Sequence, residues 1–143
     1  MLGPDTIVSA VLAILVAATA KPTGLATTDI FDHDLLPTEE ADLPVVGVYL
    51  VDDQQAGYGE AMGGEHTRQA RIRVEIRASG APLAGTKAIR EWALKAVLND
   101  TTLNNQTAFN IDYQGFQPFS AATNMRLCGA DLDFLATYLF IED

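Results

Sequence analysis

The ten residues Gln69-Ala70-Arg71-Ile72-Arg73-Val74-Glu75-Ile76-Arg77-Ala78 alternate without a break. Ala70, Ile72, Val74, Ile76 and Ala78 fall on one side, Arg71, Arg73, Glu75 and Arg77 on the other. A helical period would scatter these five apolar residues around its axis. Period 2 of this regularity predicts a strand with one face in an apolar core and one face charged. A fold that accepts such a strand must hold a sheet covered on one side.

The neighbouring segments supply the rest of that sheet. Pro44 to Val51 (Pro-Val-Val-Gly-Val-Tyr-Leu-Val) is rich in β-branched residues and apolar on both faces, as a central strand is. Thr107 to Gln117 alternates again, with Phe109, Ile111 and Tyr113 inward against Asn110, Asp112 and Gln114. Leu132 to Ile141 is apolar on both faces, which suits either a middle strand or a strand whose second face meets another subunit. Between the strands, Thr86 caps a predicted helix running to Leu98, with Ile89, Trp92, Ala93, Ala96 and Val97 inward and Lys87, Arg90, Glu91 and Lys95 in water.

The first helix is predicted over the apolar run Thr6 to Ala18. Pro4 suits its first turn, Asp5 its positive end, and Val8, Val11, Leu12, Leu15 and Val16 form its stripe. The run stops at Lys21-Pro22, short of the ~20 residues that a membrane span needs, so no membrane partner is expected. Ala18-Thr19-Ala20 has the small residues of a signal-peptide cleavage site, but a basic leader is missing before the run. Residues 25–43 read as an acidic connector with a short strand near Ile30-Phe31, and residues 52–67 as a flexible Gly-rich hairpin loop. The order helix, strand, strand, helix, strand, strand predicts one α+β domain over 1–143. Its expected architecture is a mostly antiparallel four- to five-stranded sheet with two helices packed on one face.

Composition narrows the function. The chain has 143 residues and a formal charge of -10, with 19 acids against 9 bases, so holding nucleic-acid phosphates is excluded as its main task. A chain of this length buries about two-thirds of its unfolded surface and folds without disulfide or metal. The single Cys128 has no partner for a disulfide and is expected to be a small buried hydrophobe, and with only His33 and His66 a zinc quartet is out of reach. Asp32-His33-Asp34 reads as a solvated acidic loop rather than a metal site, because adjacent extended residues point apart. The Gly-rich loop places Met62 where a dinucleotide fingerprint has glycine and lacks Gly-Lys-Ser/Thr. Ser9, Ser79 and Ser120 sit in no nucleophile-elbow pattern. No catalytic residue, metal site or cofactor is expected.

The charge layout says more than any motif. Ten acids and no Lys or Arg lie from Asp29 to Glu65, whereas seven bases and two acids lie from Arg68 to Lys95. Two solvated faces would explain this, as would a self-complementary protomer that stacks head to tail into a ring.

Leu43-Pro44-Val45-Val46-Gly47-Val48-Tyr49 followed by Asp52-Asp53, and Arg68-Gln69-Ala70-Arg71-Ile72-Arg73-Val74-Glu75-Ile76, are where the chain resembles the tail-terminator (tail-completion) proteins of long-tailed phages. The amphipathic helix, the tyrosine-bearing strand and the final Phe134-to-Tyr138 strand follow in the same order. The long acidic 25–43 connector departs from that pattern. The resemblance implies a homohexameric ring in the virion, assembled in the host cytoplasm, that caps the tail tube, ends its growth and joins the tail to the head connector. Genome DNA would pass through its lumen without specific binding. By the same resemblance Arg71, Arg73 and Arg77 would meet acids of a neighbouring subunit or of the tube, and Asp52 and Asp53 a basic neighbour. Another neck or head–tail joining ring fits the same residues, and an exported small enzyme or ligand-binding domain is the reading from a different class.

Overall fold

The computed structural model describes residues 3–33, 43–55, 65–80, 83–99, 109–120 and 127–141. Along the chain these form α1 (Pro4–Ala17), a 3-10 turn (Thr27–Asp29), β1 (Ile30–Phe31), β2 (Val45–Gln55), β3 (Glu65–Ser79), α2 (Lys87–Leu98), β4 (Phe109–Ser120) and β5 (Leu127–Ile141). The fold is α+β, with one five-stranded sheet in the order β1-β2-β3-β5-β4. Every pairing is antiparallel except the two-residue contact of β1 with β2. No helix among the described residues is long and apolar enough to cross a membrane.

The alternation of β3 does what its pattern predicts. Ala70, Ile72, Val74, Ile76 and Ala78 are buried in a cluster with Val46 and Val48 of β2 and Leu132, Phe134 and Ala136 of β5. The register aligns Val48, Val74 and Leu132 across three strands, so the cluster draws on one face of the sheet. Ile7, Val11 and Leu15 of α1 and Ile89, Trp92, Ala93 and Val97 of α2 join the same cluster. The deepest stripe of α1 is thus turned from the predicted one, with Ile7 fully buried and Val8, Leu12 and Val16 half-buried beside it. After α1, the Lys21 ammonium donates to the carbonyls of Val16 (2.9 Å) and Ala18 (2.7 Å). It thereby satisfies groups that a helix end leaves open.

Three local readings change. β2 is a central strand only in part: it lies between β1 and β3 level with Val46 and Gly47, where Val45 to Val48 are buried, and beyond Gly47 its outer edge has no neighbour among the described residues. Val51 is the extra residue of a β-bulge and stands 38% exposed. The predicted hairpin loop is shorter than 52–67, since β2 continues to Gln55 and β3 begins at Glu65, while 56–64 lie outside the described residues. Thr86 precedes α2 as expected, yet its hydroxyl caps no backbone N–H. It accepts instead from Arg90 Nε at 3.0 Å, and the same guanidinium lies 4.4 Å over the Phe116 ring, fastening the helix to β4. The acidic connector holds the 3-10 turn and β1, with 34–42 outside the described residues. Cys128 is fully buried, and burial pushes its thiol up.

Candidate functional site: a charged ladder across the sheet

The face of the sheet opposite the cluster carries Tyr49 on β2, Arg71, Arg73, Glu75 and Arg77 on β3, and Asp131 and Asp133 on β5. Register places Tyr49, Arg73 and Asp133 in one row and Gly47, Glu75 and Asp131 in the next. The first row sets opposite charges side by side, which stabilises the face, whereas the second sets Glu75 against Asp131, a like-charged pair that the neighbouring arginines must offset. Arg73 reaches Asp133 with both arms of its fork, Nε to Oδ1 at 2.9 Å and Nη2 to Oδ2 at 3.4 Å, and comes within 4.0 Å of Asp131. Arg77 donates to Glu75 through Nε (3.2 Å) and Nη2 (3.0 Å) on its own strand. Gly47 and Gly129 occupy the positions opposite Glu75 and Arg77, and the Phe119 ring of β4 lies over Gly129, filling the space that a side chain would take there. Glu75 is 6% exposed, so its charge is held by partners rather than by water.

A second constellation sits where β2, β3 and β5 meet at the other end. The bulge at Val51 sends Asp52 to the ladder face and Asp53 to the core face. There Asp53 accepts from Arg68 Nε (2.9 Å) and from the Tyr138 hydroxyl (2.7 Å). Burial, reinforced by the Asp53 carboxylate, pushes the Tyr138 phenol up to about 12, so it stays a donor at neutral pH. The bond that Arg68 itself donates to Asp53 holds its guanidinium above the ordinary value.

The five residues singled out from sequence therefore divide. Arg73 and Arg77 are half-buried and bonded to carboxylates of their own chain, and Asp53 is fixed by Arg68 and Tyr138. Arg71 and Asp52 face each other at 3.8 Å with side chains 47% and 36% exposed, a pairing loose enough to exchange for another. Sequence reasoning gives Arg68 and Tyr138 no role, and it reads Asp131 and Asp133 only as paired carboxylates without a place in the site. Asp131 and Asp133 carried a signal, being spaced two apart and so on one face of a strand, but that Asp133 lies opposite Arg73 and Asp131 opposite Glu75 comes only from the register. The partnership of Tyr138 with Asp53 depends on the bulge, which no local pattern marks. Among the described residues no group of His, Cys, Asp or Glu could hold a metal ion.

Asp131 is the uncomfortable member of the ladder. Its Oδ1 is buried without a hydrogen-bond partner among the described residues, and burial raises its carboxyl above the usual range although Arg73 acts the other way. A carboxyl raised in the folded state favours folding below its unfolded value, and that contribution is lost as pH rises through the raised value. Asp131→Asn should accordingly raise the urea midpoint at pH 7, with the gain shrinking towards pH 4. A gain that grew on acidification would contradict this account of Asp131.

No protein-family model matches the chain, and no curated protein matches it.

Proposed function

We propose that the chain is a structural virion subunit of the tail-terminator kind, forming a homohexameric ring that caps the phage tail tube and joins it to the head connector. The observation that carries this reading is the order of elements: α1, the β2–β3 pair, α2 and the β4–β5 pair build one α+β sheet fold. It is the order in which the resembling stretches occur. The ladder supports it as well, because Arg73 and Arg77 are held by Asp133 and Glu75 of the same chain in an ordered face, with Arg71 and Asp52 loosely paired and open to a neighbour. The net charge of -10 suits a lumen through which DNA slides without being held.

Electron microscopy of the purified chain, alone and mixed with tail-tube protein, tests the proposal. The expected result is annular particles, and tubes that stop growing at an end bearing a ring. Single globular particles at every concentration, with tubes of unaltered length, would remove it.

A further inference from the structure

We infer that copies of this chain join by adding β4 of one to the outer edge of β2 in the next, so that one sheet continues from protomer to protomer. This inference rests on the ring reading and specifies its contact. Beyond Gly47 nothing among the described residues pairs with the outer edge of β2, nor does anything pair with the outer edge of β4. A row of unpaired backbone groups is a template for another strand.

Three observations select β4 of a second copy as the occupant. The first is direction. β2, β3, β5 and β4 alternate, so β4 runs antiparallel to β2. With four alternating strands, copies related by simple rotation present β4 to β2 in the antiparallel sense, and the alternation continues unbroken. The second is level. Register links Leu50 through Ile72 and Phe134 to Tyr113, and Gln54 through Gln69 and Thr137 to Asn110. The uncovered end of β2 is therefore level with residues 109–113 of β4. At the opposite end the edges are less able to pair, because β1 covers Val46 in the row where β4 has Pro118, which lacks an N–H. The third is charge. α1 lies against β1 and β2, and α2 against β4. The α2 flank exposes Lys87 and Lys95, which have no carboxylate partner among the described residues, against one exposed acid, Glu91, while the β1 flank exposes Asp32, 3.2 Å from His33 Nδ1. Adding the strand brings a cationic flank to an acidic one.

Cross-linking tests this directly. Within one chain Gln54 and Asn110 are separated by two intervening strands, roughly 14 Å at ~4.8 Å per strand, beyond the ~7 Å that a disulfide tolerates between Cα atoms. The full-length double variant Gln54→Cys/Asn110→Cys, oxidised and run on non-reducing gels, should give a ladder of covalent oligomers ending at the ring size seen by native mass spectrometry. Each single variant should stay a monomer on the same gel. Efficient dimers from Gln54→Cys alone would mean β2 pairs with β2 about a two-fold axis and would overturn the inference. Absence of the ladder while the wild-type chain still forms rings overturns the inference and leaves the ring reading standing. A wild-type chain that is monomeric throughout removes both. Circular dichroism of each variant shows whether it folds, and lysine reversal (Lys87→Glu/Lys95→Glu) supplies a contact variant outside the sheet, expected to weaken ring formation at least tenfold.

Discussion

Arg73→Glu should destabilise the fold by about 3 kcal/mol, the lower end of the cost of stripping one partner from a buried pair, since both side chains keep some water. Asp133 would lose its two-armed partner, and a new carboxylate would join Glu75, Asp131 and Asp133 on one face. Arg71→Glu should cost less than ~1 kcal/mol, because its contact with Asp52 is long and solvated. Urea unfolding of the two single variants checks the contrast. Equal losses would mean that the ladder is no more than surface charge. The contrast also limits how the ring is probed. A double reversal at Arg71 and Arg73 would mix a contact change with a loss of about 4 kcal/mol of a stability of about 5–15 kcal/mol, so Arg71 alone, with Asp52, is the cleaner contact probe on that face.

Removing residues 1–20 is expected to leave a chain that does not fold. Ile7, Val11 and Leu15 are fully buried, and their burial contributes roughly 5–9 kcal/mol in all. A domain of this size has about 5–15 kcal/mol in total. The truncated chain should lack a cooperative thermal transition, whereas cutting only before Pro4 should leave it intact. A truncated chain with a sharp transition near that of the full chain would show that α1 is an appendage and revive the reading of residues 1–20 as a leader.

The strands and helices were legible because burial on one face writes a period into the sequence. The β3 alternation, the α2 stripe and the inward set of Phe109, Ile111 and Tyr113 all carried that signal; the first two, with Ile111 and Tyr113, lie where it placed them, and the Phe109 side chain lies outside what is described. Boundaries were less legible where polar residues continue a strand. Asp52, Asp53 and Gln54 look like loop residues, yet they pair with Arg71, Ala70 and Gln69 because the hairpin ladder extends past the core. The candidate site was legible only by half. Exposure of the arginines follows from alternation, but whether an arginine meets its own chain's carboxylate or a neighbour's depends on which strands adjoin. β5 supplies that answer through Asp131 and Asp133, the latter 60 residues along the sequence from Arg73.

β2 has one residue more than its ladder uses: Val51 has no counterpart on β3, while Leu50 and Asp52 pair with the consecutive Ile72 and Arg71. Deleting Val51 would therefore leave every other side chain of the strand pointing where it now points. Deleting Gly47 would invert the segment before it against the rest. In a lineage that gains and loses single codons, the strand has one position at which its length can drift without reversing its inside and outside.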